Sequence, residues 1–352
     1  MLKWIPIPRM LRQYLGVQLG VLRKIQSRRK AHPSVLNNAH ALVERLKTVK
    51  RSLKSGQRLV GILLAEHFGD IIACEPVVQW LRRQNSDDFL VWITRPAFAG
   101  LLRYHPEIDL VEEIDSVCGC EYLITNNVFD LTIDLNLDEK FCSVLNRDYS
   151  KKTGNKAVSV RNYYHYGSLL EAMSFGSGLP RLNGQPRLYL GPRQGHAYKQ
   201  LGLPEKFTVL HARANLKTRN WNDSAWKILV GMLVRDYKIN VVEVGLESVL
   251  RDSCEGVIDL CGKLSLLETA EVISNAEAFI GIDSGPAHVA NAFKVPSIIL
   301  LGSYDVYKTY MPYSGFLKRY AKEMIIQWNG PASEIEVYEV IKRLNNLRII
   351  KA

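Results

Sequence analysis

Twice along the chain, short apolar runs alternate with stretches of helical periodicity, and no other feature restricts the fold as much. After the Ser55-Gly56 break, residues 59–65, 89–94, 109–113 and 129–135 read as strands, with helical patterns over 71–83 and 164–175. The alternation restarts beyond residues 176–205, a stretch rich in Gly and Pro. There the strands are expected at 207–211, 240–244, 257–259, 278–282 and 297–301, and the helices at 224–235 and 266–276. Strands separated by helices form parallel sheets covered on both faces. The expected fold class is therefore α/β, two Rossmann-like domains facing across a cleft and preceded by a basic helical extension. The expected boundaries are 1–57 for the extension, 58–190 for the first domain and 191–330 for the second, with a C-terminal helix in 331–352. Ligand loops of such sheets lie at the carboxyl ends of the strands, so the cleft is where a site belongs.

The formal charge of +11 is concentrated at one end. Residues 1–58 hold fourteen Lys and Arg against the single acid Glu44, and the remaining 294 residues hold 32 basic and 34 acidic side chains. Leu11, Tyr14, Leu15, Leu19, Leu22 and Ile25 recur at helical spacing among Arg9, Arg12, Arg23, Lys24, Arg28, Arg29 and Lys30. Residues 9–30 thus suit an anionic membrane surface, where apolar burial and Lys/Arg attraction act together. Nucleic acid is disfavoured as a partner, because the body is near neutral and an RNA arm needs little apolar periodicity. Packing of the stripe on the body or on another subunit is the plain alternative. A second helical pattern, Val35, Leu36, Ala39, Leu42, Val43, Leu46 and Val49, follows Ser34 as its cap.

No apolar run approaches the ~18 residues of a membrane span, and the N-terminus lacks the pattern of a signal peptide. The expected location is cytoplasmic, peripheral at the inner face of the cytoplasmic membrane. The six cysteines show no C-x-x-C spacing and are read as reduced, mostly buried thiols, with neither a zinc site nor a disulfide framework expected.

Three loops carry the chemistry. In FIGIDSGPAHVANAFKVPSIILLG, residues 279–302, a strand, a tight turn, a helix and a strand follow one another. Ser284 is suited to cap, Gly285 to turn and Pro286 to begin the helix, whose free amides and dipole favour an anion. Asp283 and Ser284 serve equally as mere caps. In the first half, the first strand ends in EHFGDIIACEPVVQWLRR, where Gly69 permits a turn and Asp70 starts a helix. A carboxylate there is placed to accept a proton from an attacking hydroxyl. Glu66 and His67 stand on the acceptor side of the same loop. In the second half, HARANLKTRNWNDSAW brings Arg213, Lys217 and Arg219 to the end of a strand, where cations neutralise a diphosphate. His211 and His288 fit a core role as well as a functional one.

With these motifs in place, the sequence resembles glycosyltransferase family 9, the ADP-heptose:lipopolysaccharide heptosyltransferases, over roughly residues 58–315. The resemblance rests on IDSGPAHVANAFKVPSIILLGS, the Gly69-Asp70 turn, FDLTIDLNL and the Arg/Trp loop. It implies the GT-B fold. It also implies that Asp70 is the general base and that Asp283, Ser284 and Gly285 meet the donor sugar and diphosphate, with His288 behind them. Arg219 stands where the family has Lys, and Arg213 where it usually has Gly. Glu247 follows Gly245 more closely than the family's ribose-binding Glu would.

The expected function is inverting transfer of a sugar, heptose from ADP-heptose, to a lipopolysaccharide-core or related saccharide acceptor, which is lipid-linked in the membrane. Arg219, Lys217, Ser284 and the helix amides would hold the leaving-group charge, and no D-x-D appears at a plausible donor loop, so no metal or other cofactor is expected. The alternatives are a GT-B transferase using another nucleotide sugar for capsule, O-chain or protein glycosylation, and a non-catalytic module that binds glycan or nucleotide.

Overall fold

A computed structural model describes residues 38–192, 199–251, 256–303 and 310–349. The basic stretch 9–30 and the Ser34, Val35 and Leu36 positions of the second helical pattern lie outside the described residues. Two parallel sheets organise the rest. The first contains β1 (Leu59–Leu63), β2 (Phe89–Thr94), β3 (Leu110–Glu113) and β4 (Leu131–Asp134) in the order β3-β2-β1-β4. A small antiparallel pair, β5 (Phe141–Cys142) and β6 (Arg147–Asp148), follows it. The second sheet contains β7 (Thr208–His211), β8 (Val241–Glu243), β9 (Val257–Asp259), β10 (Ala278–Ile282), β11 (Ser297–Leu301) and β12 (Ile325–Gln327). Its order, β12-β11-β10-β7-β8-β9, is that of a Rossmann sheet, with the reversal of connection between β7 and β10. The reversal in the first sheet lies between β1 and β4.

The central strands β1, β2, β10 and β11 are buried on two faces, which is why they are nearly continuous apolar runs. On one face of the first sheet, Val60, Ile62 and Trp92 meet the helices Phe68–Cys74, Pro76–Gln84 and Leu169–Gly176. On the other, Leu59, Leu63, Val91 and Ile93 meet the helix Val117–Thr125 and a helix over residues 38–52. That last helix inserts Ala39, Leu42, Val43 and Leu46, all nearly inaccessible, so the second helical pattern of the sequence is a layer of the first domain. In the second sheet, Val209, Phe279 and Ile299 face the helices Leu266–Ser274 and Gly285–Phe293, and Leu210, Ile280 and Ile298 face Asp223–Arg235 and Val337–Asn346.

Three expectations need correction. The single helix over 71–83 is two helices, Phe68–Cys74 and Pro76–Gln84, because Pro76 has no amide to continue the first. Buried Glu75 stands at the break, bonded to His105 Nε2 (2.9 Å), Gln79 Nε2 (2.7 Å) and the Arg187 amide (2.8 Å). The segment 164–175 is a 3-10 turn, Tyr163–Tyr166, then Leu169–Gly176, which restarts at Gly167 (φ 101°) with a Ser168/Glu171 capping box. Finally, Cys118 and Cys142 are bonded, with Cα atoms 6.3 Å apart, whereas Cys74, Cys120 and Cys261 are buried free thiols. Twenty-four residues separate the bonded pair, and only the fold brings β5 to the helix carrying Cys118.

Candidate active site

At the reversal of the first sheet, β1 runs into a turn fixed by β2 on one side and by the end of β4 on the other. The Leu64 amide bonds to Ile93 O (2.9 Å) and the Ala65 amide to Asn136 Oδ1 (2.8 Å). Asn136 is buried and donates to Asp134 Oδ1 (2.9 Å). Lys151 Nζ donates to the carbonyls of Asp134 and Asn136, each at 2.6 Å, and Tyr149 donates to Asp134 Oδ2 at 2.5 Å. A buried, satisfied network of this kind fixes a turn in one geometry.

The turn presents Glu66, His67 and then Asp70, third residue of the Phe68–Cys74 helix. Asp70 Oδ2 accepts the His67 amide at 3.2 Å, so one oxygen caps the helix. Its carboxylate retains some surface but is enclosed on most sides, and burial, then the neighbouring Glu66, push its pKa up to about 7. Lys140, the His67 amide and Arg219 of the second domain act in the opposite direction. Glu66 is buried and paired with Lys140 Nζ at 2.6 Å. His67 is exposed, its ring 6.2 Å from that of Phe98, and burial and Arg95 lower its pKa.

At the reversal of the second sheet, β10 ends in Asp283 and Ser284. Asp283 is buried, paired with Arg219 Nη1 (3.2 Å) and hydrogen-bonded by Tyr313 OH (3.0 Å). Ser284 occupies the N-cap, but its hydroxyl donates backwards to Ile282 O (3.1 Å) and leaves the Gly285–Phe293 helix without a side-chain cap. Pro286 sits in the first turn of that helix, as expected. His288 is buried, its ring 4.8 Å from Tyr313, and burial pushes its pKa down to about 4. Its Nδ1 has no hydrogen-bond partner among the described residues, so it is a neutral imidazole with an unspent nitrogen.

The two turns meet. A Cβ on Gly69 would lie 3.1 Å from His288 Cδ2 and 3.2 Å from Gly285 Cα, and a Cβ on Gly285 would overlap the Phe68 ring. Both glycines are there because two helix starts, one from each domain, approach too closely for side chains. The structure thus gathers Asp70, Arg219, Asp283, Ser284, Gly285 and His288, with Glu66 beside them. Lys217, in the 3-10 turn Lys217–Arg219, is exposed and makes no ion pair among the described residues. Arg213 is paired with Asp223 (2.8 Å), and Glu247 is exposed. His211 is a core residue, its Nδ1 2.9 Å from Val244 O.

No sequence motif marks Lys140, Tyr313 or Phe68. The neighbouring acids of Glu66-His67-Phe68-Gly69-Asp70 held the one available signal, a demand for a nearby cation. Among the described residues, Glu243, Asp259 and Cys261 bring potential metal-ligand atoms within 4.8 Å of one another. Glu243 already accepts from Ser248 Oγ and the amides of Val249 and Leu250, and burial holds the Cys261 thiol protonated, so the group is spent on structure. No described helix is long and apolar enough to cross a membrane.

A base of pKa about 7 has a kinetic signature. If Asp70 accepts a proton during turnover, kcat/KM rises as pH increases through about 7 and falls roughly tenfold per unit below it, which initial rates between pH 5 and 9 measure. A profile flat across that range would contradict a base role.

The chain is similar to known proteins of one family. Residues 141–324 match the model of glycosyltransferase family 9 (heptosyltransferase). Lipopolysaccharide heptosyltransferase 3 of Escherichia coli (strain K12) is 29% identical, covering 68% of this chain and 81% of that protein. Among solved structures, the E. coli ADP-heptose lps heptosyltransferase II superposes with a TM-score of 0.63 at 16% identity, covering 83% of this chain and 98% of that one. A glycosyl transferase family 9 protein of Veillonella parvula DSM 2008 gives 0.60 at 18%, covering 83% and 97%. The fold is therefore GT-B, and the chain belongs to glycosyltransferase family 9, the heptosyltransferase family of transferases.

Proposed function

We propose that the chain transfers heptose from ADP-heptose to a lipopolysaccharide-core or related saccharide acceptor, with inversion at the anomeric carbon. The observation that carries this reading is the meeting of Asp70 with the Arg219–Asp283 pair where the reversals of both sheets face each other. The acceptor hydroxyl gives its proton to Asp70 as its oxygen bonds to the anomeric carbon. On the opposite face the bond from that carbon to the diphosphate oxygen breaks, and ADP leaves with the electron pair. Arg219, reinforced by Lys217, neutralises the diphosphate, and the uncapped start of the Gly285–Phe293 helix offers hydrogen bonds to it, joined by the Ser284 hydroxyl once it turns from Ile282 O. Asp283 holds Arg219 in place, and Glu66 and His67 border the acceptor. E. coli relatives named lipopolysaccharide heptosyltransferase 3 support the donor and acceptor class.

A donor panel tests it. ADP-heptose, ADP-glucose, UDP-glucose and GDP-mannose are titrated calorimetrically, and ADP-heptose is expected to bind at least tenfold more tightly than the rest. Preference for a uridine or guanosine donor would move the assignment to another glycan.

The acceptor we propose is anchored in the membrane, with residues 9–30 docking the enzyme at its inner, cytoplasmic face. The full chain is expected to sediment with phosphatidylglycerol vesicles, and a version lacking residues 1–30 to stay in solution. Equal sedimentation of both would assign the basic stretch 9–30 to another partner.

A further inference from the structure

The Gly285–Phe293 helix connects the reaction cleft with a second concavity. Its nine residues carry the chain from Ser284 to the C-cap Lys294, roughly 14 Å away at ~1.5 Å per residue. There a cavity of about 510 Å³ opens between residues 177–192, the linker from the first sheet to the second, and the second domain, within the ~300–1,000 Å³ range of small-molecule sites. Asn183 and Gln185 line it from the linker, Lys294 from the helix end, and Lys318, Arg319 and Tyr320 from the segment around the helix Gly315–Arg319.

Its floor is held on several sides. Gln185 Nε2 donates to Asn291 O (2.8 Å), Gln185 Oε1 accepts the Phe316 amide (2.8 Å), and Gln79 Nε2 donates to Gln185 O (3.0 Å). Gly315 adopts φ +64°, and a Cβ there would lie 2.6 Å from Gln185 Oε1; one on Gly184 would lie 2.9 Å from Pro76 Cβ. The linker is pressed against both domains at this point.

Three cations face this cavity and one acid answers them. Lys318 is paired with Glu171 at 2.7 Å, whereas Lys294 and Arg319 make no ion pair among the described residues. A cation at a helix C-terminus complements the dipole, which accounts for Lys294 or Arg319 taken singly. It does not account for their convergence, with Lys318 and two amide side chains, on one preformed polar cavity. An ammonium beside a guanidinium fork suits the geometry and charge of a phosphate.

We propose that this cavity is a second anion site, which binds a phosphate-bearing ligand through Lys294 and Arg319, with Asn183 as a further donor. Its place at the linker means that an occupant bridges the linker and the second domain. The assignment does not depend on the reaction proposed for the cleft.

The test uses the full chain carrying Arg219→Ala, which weakens anion binding in the cleft, and compares it with the same chain carrying Lys294→Ala and Arg319→Ala as well. Inorganic pyrophosphate and monomeric dihexanoyl phosphatidic acid are titrated into each by calorimetry, the first standing for a soluble phosphate and the second for a lipid headgroup. Lys294 and Arg319 are exposed, and unchanged circular dichroism would confirm that the fold is kept. Binding of either probe that weakens tenfold or more in the triple variant supports the site and identifies its class of ligand. Binding of neither probe, or equal binding by both chains, overturns it.

Discussion

Asp70→Asn is expected to lower kcat/KM for sugar transfer by about 10²–10⁴-fold while donor affinity stays within a few fold, because the residue acts on the acceptor proton and not on the nucleotide. Asn keeps an oxygen for the His67 amide, so the cap on the Phe68–Cys74 helix survives. The sign of the stability change separates a chemical role from a structural one. A carboxyl whose pKa is raised in the folded state contributes stability that is complete below about pH 3.8 and lost as pH rises through about 7. Above pH 7 the variant carries no buried charge and is expected to melt at or above the wild-type temperature. Lost activity with a lower melting temperature at pH 8 would instead mark Asp70 as a structural cap.

Arg219→Ala is expected to act on both the donor and the fold. The guanidinium is the cation paired with the buried Asp283 carboxylate, at 3.2 Å, and its removal leaves that charge without this ion pair, beside the Tyr313 hydroxyl at 3.0 Å. Since Arg219 is itself 24% exposed, the cost is discounted from that of a fully buried pair, to about 1–3 kcal/mol. Loss of the cation facing the leaving diphosphate should lower kcat/KM by about 10²–10³-fold. Arg219→Lys is the informative companion, because it restores charge without the fork and places at this position the residue that the family resemblance expects. Recovery of most of the activity by Lys would assign Arg219 to charge neutralisation. Recovery of stability alone would confine it to holding Asp283.

The parts of this molecule that were legible in the sequence are those where burial is uniform. Strands β10 and β11 fall on the expected residues 278–282 and 297–301, because apolar runs buried on two faces admit no other register. The helix over 38–52 was equally plain from Ala39, Leu42, Val43 and Leu46. The break at Glu75-Pro76 was missed because the apolar period runs through it, and only the buried bonds of Glu75 to His105, Gln79 and Arg187 show why the chain stops there. In the site, Asp70, Asp283 and Arg219 were readable because each lies in a local turn motif. Lys140, Tyr313 and the Cys118–Cys142 bond were not, since each partner is brought in from 24 or more residues away by sheet topology.

These residues also explain why the site depends on closely approached domains. Asp70 belongs to one domain and the Arg219–Asp283 pair to the other, and where their turns meet Phe68 is set against Gly285 and His288 against Gly69. A substitution as small as Gly69→Ala alters the fit of the two helix starts without touching a charged group.

Inverting heptose transfer is tested by incubating the wild-type chain with ADP-heptose and heptose-deficient lipopolysaccharide, then weighing the product by mass spectrometry and reading its new anomeric centre by NMR. Addition of one heptose with inverted configuration is expected, and its absence with Asp70→Asn. Retained configuration, or no adduct from a chain that binds ADP-heptose, would contradict it.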